Sequence, residues 1–164
     1  MNSSPAPPPI IELRRISVSS AASVAVGRPP ADLLVAPDYP TEFSVELARS
    51  IHDGEPLGPF FLLRTSDQVV VGEIGGTLVE PSVMEIGYAV VGSARGRGYA
   101  TLAVRGFIEL ARAHSGIARL IAHTPLDRPA SRRVLSKSNF RCTGEIADEY
   151  DGVVMRVQEW EHWL

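Results

Sequence analysis

The sequence predicts an α+β sandwich, a mixed and mostly antiparallel sheet of about six or seven strands flanked by about four helices. Two observations lead there. A strand, a glycine-rich turn, a helix and a second strand follow one another from Val83 to Thr124. On either side stands a hairpin pattern, at 60–79 and at 140–160, and hairpins build antiparallel sheet. A length of 164 residues suffices for one domain with its own core, expected over 10–164 behind a disordered or polyproline lead at 1–9.

In chain order, Ile10 to Ile16 reads as a short strand and Ser17 to Val26 as an alanine-rich helix, stopped by Gly27 and Pro29-Pro30. Residues 27–40 carry Pro29, Pro30, Pro37 and Pro40 and read as an irregular connection. A helix opens at Thr41 or Glu42 and runs through Ile51, with Phe43, Leu47 and Ile51 on its inner side; His52-Asp53-Gly54-Glu55-Pro56 ends it. Phe60–Arg64 and Val69–Val79 form a hairpin across Thr65-Ser66-Asp67-Gln68, in which Gly72, Gly75 and Gly76 imply bends or close backbone approaches. Glu80-Pro81-Ser82 then turns into the central strand, 83–91. Met84, Ile86, Tyr88 and Val90 lie on one face of it; Val83, Glu85, Gly87, Ala89 and Val91 lie on the other.

The helix after Gly98 carries Ala100, Ala103, Val104, Phe107, Ala111 and His114 along one side, with Arg105, Glu109 and Arg112 elsewhere. Arg119 to Thr124 is a buried strand ended by Pro125. Asp127 or Arg128 caps a last helix, with Pro129 in its first turn, running to about Lys137. Phe140–Ile146 and Val153–Trp160 close the chain as a hairpin across Tyr150-Asp151-Gly152. Cys142, beside Phe140, is expected in the core.

Composition narrows the function classes. A hydrophobic fraction of 45% with 21% charged residues fits a soluble globular protein, and no apolar run approaches the ~20 residues of a membrane helix. Met1 to Pro9 has neither a basic region nor an apolar stretch, so no secretory signal is expected there. The lone Cys142 excludes an internal disulfide and any cysteine-based metal site, and fits a reducing cytoplasm. No His/Cys/Asp cluster has metal-ligand spacing, so no metal is expected. Net charge is −3, which argues against nucleic-acid binding. Charge is uneven, however. Arg128, Arg132, Arg133, Lys137 and Arg141 form a basic stretch; Glu145, Asp148, Glu149, Asp151, Glu159 and Glu161 follow with Arg156 as the one cation among them.

The chemistry concentrates in the glycine-rich turn. Glycines at 92, 96 and 98 lie between a strand and a helix N-terminus, where free backbone N–H groups and the positive end of the helix dipole meet an anion. Arg95-Gly96-Arg97-Gly98-Tyr99-Ala100 matches the Gln/Arg-x-x-Gly-x-Gly/Ala pyrophosphate loop of the GNAT superfamily of acetyl-CoA-dependent N-acetyltransferases. Glu85-Ile86-Gly87-Tyr88-Ala89-Val90 looks like that family's fourth strand. Pro129-Ala130-Ser131-Arg132-Arg133-Val134-Leu135-Ser136-Lys137-Ser138-Asn139-Phe140 resembles a helix motif of its Rim-type branch, the ribosomal-protein N-terminal acetyltransferases. The resemblance covers about residues 60–162.

What the resemblance implies is a bacterial, cytoplasmic enzyme of GNAT fold, monomer or homodimer, that uses acetyl-CoA as co-substrate. The backbone of Arg97 to Thr101, which includes Gly98, Tyr99 and Ala100, would hold the diphosphate, with Arg95 and Arg97 as charge partners. Backbone groups of Ala89, Val90 and Val91 would pair with the pantetheine, and Gly92 would form a bulge that splays this strand from the next. Ser131 matches the serine of the Rim-type motif. Arg128 stands where that motif has asparagine and is a phosphate partner instead; Arg132, Arg133 and Lys137 reach toward the 3′-phosphate, although a solvated face is the plainer reading of Arg133. The family's acidic tyrosine is replaced by Leu135, leaving Ser131 as proton donor to the thiolate. Glu85, Glu73 and His123 are candidate bases. Glu85 aligns with the fourth-strand glutamate, and an arginine-paired strand-end carboxylate is its structural alternative.

Direct transfer to a primary amine follows, with the α-amine of a protein or peptide N-terminus favoured. An antibiotic or polyamine acceptor and an acyl-CoA-binding module without turnover are the alternatives.

Overall fold

The computed structural model describes residues 10–51, 57–150 and 152–164. The expected lead at 1–9, the helix stop at 52–56 and Asp151 in the last turn lie outside the described residues. In chain order the elements are β1 (Ile11–Arg15), α1 (Val18–Ala25), β2 (Leu34–Val35), α2 (Glu42–Arg49), β3 (Phe60–Arg64), β4 (Val69–Glu80), β5 (Val83–Val90), α3 (Tyr99–Arg112), β6 (Arg119–Pro125), α4 (Pro129–Lys137), β7 (Arg141–Tyr150) and β8 (Val153–Trp163), with a 3-10 turn at Gly92–Ala94. The predicted α+β class holds.

Local chemistry sets the boundaries. The Ser17 side chain accepts the Ser20 N–H to start α1, and Thr41 and Ser44 form a reciprocal capping box at α2. Pro129 occupies the first turn of α4, where its missing N–H is no loss.

The strands form one sheet in the order β1-β3-β4-β5-β6-β8-β7, with β2 paired to β4. Eight strands exceed the expected six or seven because the proline-rich connection at 27–40 is not wholly irregular. Leu34 and Val35 pair in parallel with Val69 and Val70, beyond the end of β5. All other pairings are antiparallel except β5–β6. That parallel pairing is short: Val83, Met84 and Glu85 match Arg119, Leu120 and Ile121, and there it stops. The strands therefore part after Glu85. Gly92, expected at a splaying bulge, opens the 3-10 turn instead.

Residues paired across antiparallel strands share a face, so register assigns the two sides of the sheet. Glu73 with Ala89, Gly75 with Gly87 and Thr77 with Glu85 face α2. A Cβ on Gly75 would lie 3.1 Å from Leu47, and one on Gly87 3.4 Å from the Phe43 ring. Gly76 faces the opposite side, where an added Cβ would meet Met84 Sδ at 2.5 Å and Phe107 of α3 at 3.0 Å. The core fills both interfaces, with Phe61, Leu62, Leu63, Ile74, Met84, Phe107, Leu120 and Leu135 almost wholly enclosed. α3 buries Ala103, Val104, Phe107 and Ala111 as expected and Ile108 as well, while Ala100 and His114 stay half-exposed.

Two expectations about burial fail. The buried positions of α2 are Ser44 and Ala48, and Phe43, Leu47 and Ile51 are half-exposed. Cys142 is exposed. It stands on β7, the last strand of the sheet, whose outer edge has no neighbouring strand among the described residues to cover it.

Candidate active site

The glycine turn is built by three devices. The 3-10 turn is pinned by Asp38, whose carboxylate accepts the Ser93 N–H at 2.9 Å and the Ser93 hydroxyl. Those hydrogen bonds, the hydroxyl first, hold the Asp38 carboxyl below its usual range. Gly96 and Gly98 then take φ values of 76° and 83°, conformations that strain any residue with a Cβ. Gly98 caps α3, and no side chain supplies a capping bond to the first turn. Space in front of both glycines is open: an added Cβ would meet nothing within 4 Å. Arg97 is exposed. Arg95 is folded back, its Nε donating to the Val90 carbonyl at 3.1 Å. Tyr99 is buried with its hydroxyl beside Arg64, so its backbone alone faces the turn; Ala100 and Thr101 follow half-exposed.

Beside this turn runs the opening between β5 and β6. Val91 N–H donates to Val71 O toward β4. By alternation, the backbone groups of Tyr88 and Val90 point into the opening and those of Ala89 and Val91 point away from it. The Tyr88 hydroxyl donates to the Ser131 carbonyl at 3.3 Å, which brings the first turn of α4 to the same opening. Burial raises the Tyr88 pKa, partly offset by that bond. Leu135 is enclosed in the core and offers no proton.

Arg128 precedes α4 as an exposed residue with its Nε 4.0 Å from Asp127. Lys137 is at the far end of the helix, roughly 13 Å along its axis. Arg132, Arg133 and Lys137 line a separate groove of about 530 Å³ with Cys142 and Trp160. The turn and Ser131 are thus brought to the opening; Arg128 stands exposed just before the same first turn of α4, and Lys137 lies at its far end.

On the α2 side of the sheet lies a groove of about 480 Å³. Phe43, Leu47 and Ile51 form one wall, Gly75 and Gly87 the floor, and Glu46, Glu85 and Glu149 place carboxylates around it. Glu85 and Ser131 therefore stand on opposite faces of the sheet, at the opening between β5 and β6. Among the described residues Glu85 has no arginine partner. Its Oε1 is 3.0 Å from His123 Nδ1, and the same ring lies 3.5 Å from Asp148 Oδ2 and 3.5 Å from Glu159 Oε2. The Nδ1 contacts fall outside hydrogen-bonding alignment and are ion pairs. Glu85 above all, helped by Glu159 and Asp148 against burial, pushes the His123 pKa up to about 8.

Glu73, the remaining candidate base, is enclosed beneath α2 and does not line the groove. Neither of its oxygens makes a well-formed hydrogen bond, and burial pushes its pKa up to about 7, with Tyr39 and Ser44 drawing it back in part. Sequence reasoning missed Asp38, Tyr88 and the hub at His123, because each acts across elements distant in the chain. Among the described residues no group of His, Cys, Asp and Glu is placed to hold a metal ion, and no helix is long and apolar enough to cross a membrane.

A family model described as the acetyltransferase (GNAT) domain matches residues 13–141. The chain belongs to the GNAT acetyltransferase family. As a GNAT member it is an acyltransferase. The solved GNAT structures it resembles share little sequence. RimL, a ribosomal α-N-protein acetyltransferase in complex with coenzyme A, is 17% identical with a TM-score of 0.70, the match covering 94% of each chain. The microcin C7 self-immunity acetyltransferase MccE, in complex with acetyl-CoA and AMP, is 15% identical with a TM-score of 0.69, over 94% of this chain and 92% of that one. The spermidine/spermine N-acetyltransferase SpeG from Vibrio cholerae is 12% identical with a TM-score of 0.67, over 94% and 95%. At such identities the likeness is one of fold. No curated protein sequence matches this GNAT chain.

Proposed function

We propose that the protein moves an acetyl group from acetyl-CoA directly to a primary amine, the α-amine of a protein or peptide N-terminus being the favoured acceptor. One observation carries this reading: the opening between β5 and β6 has an anion-binding turn at one mouth and a carboxylate-lined groove at the other. Acetyl-CoA supplies an activated acetyl thioester. The N–H groups from Arg97 to Thr101 hold its diphosphate, with Arg97 and Arg128 as cations and Arg95 freed from Val90 to join them. Tyr88 and Val90 offer backbone partners to the pantetheine, a shift from the expected 89–91 that follows from the alternation above. Glu85 takes a proton from the amine, the C–N bond forms as the C–S bond breaks, and Ser131 donates toward the departing sulfur.

The α-amine preference rests on cost. Presenting a lysine side chain of pKa ~10.4 in neutral form at pH 7 costs about 4–5 kcal/mol, against about 1 kcal/mol for an α-amine of pKa ~7.7–8.0. A site with a single carboxylate base, and with Leu135 where the family has its tyrosine acid, suits the easier acceptor. RimL acts on an α-amine by its description, which agrees. The carboxylates of Glu46, Glu85 and Glu149 around one groove favour a second reading, a polyamine acceptor as for SpeG. Release of free coenzyme A with a peptide bearing a free α-amine, with its N-blocked lysine-bearing counterpart and with spermidine tests the choice. The free α-amine peptide is expected to turn over fastest at pH 7, and faster turnover of either rival overturns the preference.

A further inference from the structure

The three carboxylates around His123 come from three different strands: Glu85 from β5, Asp148 from β7 and Glu159 from β8. Their placement matters because of where β7 and β8 end up. β6 accompanies β8 as far as Pro125 opposite Val157. From there the β7–β8 hairpin continues without β6, through the pairs Ala147–Arg156 to Tyr150–Val153. A two-stranded hairpin has little stability of its own in water. Its Val153 and Val154 side chains are exposed and Met155 is only half-buried, so apolar packing holds it weakly. What ties it back is Asp148 to His123, one residue from Glu149, which forms part of the groove wall.

We propose that His123, as an imidazolium, is a positioning residue of the acceptor side: it binds Glu85, Asp148 and Glu159 into one cluster and so holds the projecting hairpin as the wall of the acceptor groove. The proposal rests on reading that groove as the acceptor site. The groups that face His123 are the carboxylates of Glu85 on β5, Asp148 on β7 and Glu159 on β8, so its charge is their shared counter-ion. A pKa of about 8 keeps the ring protonated at neutral pH. Deprotonation leaves like charges crowded together and releases Asp148, and the wall with it. His123 does not itself line the groove. Its loss is felt in acceptor binding first, with smaller effects on kcat and on coenzyme A affinity.

The test is steady-state kinetics with a free α-amine peptide across pH 7–9, coenzyme A binding being checked by thermal shift. His123→Gln is expected to raise acceptor KM roughly tenfold at pH 7, to change kcat less and to leave coenzyme A binding intact. His123→Lys keeps a cation throughout this range, so its KM stays low and loses the rise that wild type shows between pH 7 and 9. Ionisation of the peptide amine is common to all variants and cancels in this comparison. Asp148→Asn, a conservative change at a half-buried side chain, is expected to raise KM alone and to lower the His123 pKa read by NMR; it decides the matter should His123→Gln not fold.

Unchanged KM in Asp148→Asn, or in a folded His123→Gln, overturns the proposal. So does a His123→Lys profile that follows wild type. Ser50→Trp, which crowds the groove from its α2 end, separates the two readings. If it leaves acceptor KM untouched, the groove is not the acceptor site. If it raises KM while His123→Gln does not, the groove reading stands and the role of His123 falls.

Discussion

Glu73 shows how much a single side chain can set against the fold around it. Its carboxyl has an ordinary pKa of 4.5 that burial pushes up to about 7. The folded protein thus binds a proton that the unfolded chain releases between those values, and stability falls as pH rises from about 4.5 to 7. Glu73→Gln removes that loss. Urea titrations should find the variant more stable than wild type at pH 8, by an amount on the order of 3 kcal/mol, with the difference shrinking toward pH 5. Glu85 is the opposite case, a carboxylate at the surface of a groove, proposed above as the base. With Glu85→Gln, kcat on a free α-amine peptide should drop roughly 10²-fold at pH 7 and less at pH 9, where the amine is already neutral. The thermal shift given by coenzyme A should not change. Glu85 could be picked out in the sequence because the stretch Glu85–Val90 resembles the family's fourth strand, and alternation puts it on one face with Gly87 and Ala89. Cys142 could not be placed, since its alternation with Phe140 does not say that β7 is the outermost strand.

Among elements, the turn between β5 and α3 was the most legible, because glycine spacing and the change from a two-residue to a helical period are both local signals. Gly98→Val tests it directly. At a φ of 83° a branched side chain is strained, and it would fill the open space in front of the α3 N-terminus. The folded variant should lose the thermal protection that coenzyme A gives wild type. The anchor of the turn was not legible, since Asp38 lies 55 positions before Ser93 and inside a proline-rich connection. Asp38→Ala frees the Ser93 N–H and hydroxyl, and is expected to weaken coenzyme A binding several-fold by calorimetry with acceptor KM unaffected. The inner face of α2 was misread for a related reason. Phe43, Leu47 and Ile51 keep the helical spacing of a core stripe, yet Gly75 and Gly87 opposite them carry no side chains to meet it. What forms is a groove, and a periodicity cannot report what stands across from it.

At the scale of the whole molecule, the α+β class followed from the hairpins and the central strand–helix–strand unit, whereas the order of strands did not. Nothing in the sequence says that β8 inserts between β6 and β7, and the parting of β5 from β6, expected at Gly92, comes already after Glu85. Those long-range facts place Glu85, His123, Asp148 and Glu159 together, so the hub was beyond reach of a reading in chain order. The short parallel pairing has a further consequence for how the protein comes apart. Three residue pairs join a half of the sheet built from β1 to β5 to a half built from β6 to β8. Such a junction is a natural boundary between cooperative units of unfolding. Amide hydrogen exchange in the free protein should be fast at Tyr88 and Val90, whose N–H groups face the opening. Coenzyme A should slow them selectively, and if it spans both halves it should also bring the unfolding energies of β4 and β8 closer together. A ligand held there would be a structural member of the sheet, bridging a seam that the shared core beneath it otherwise spans alone.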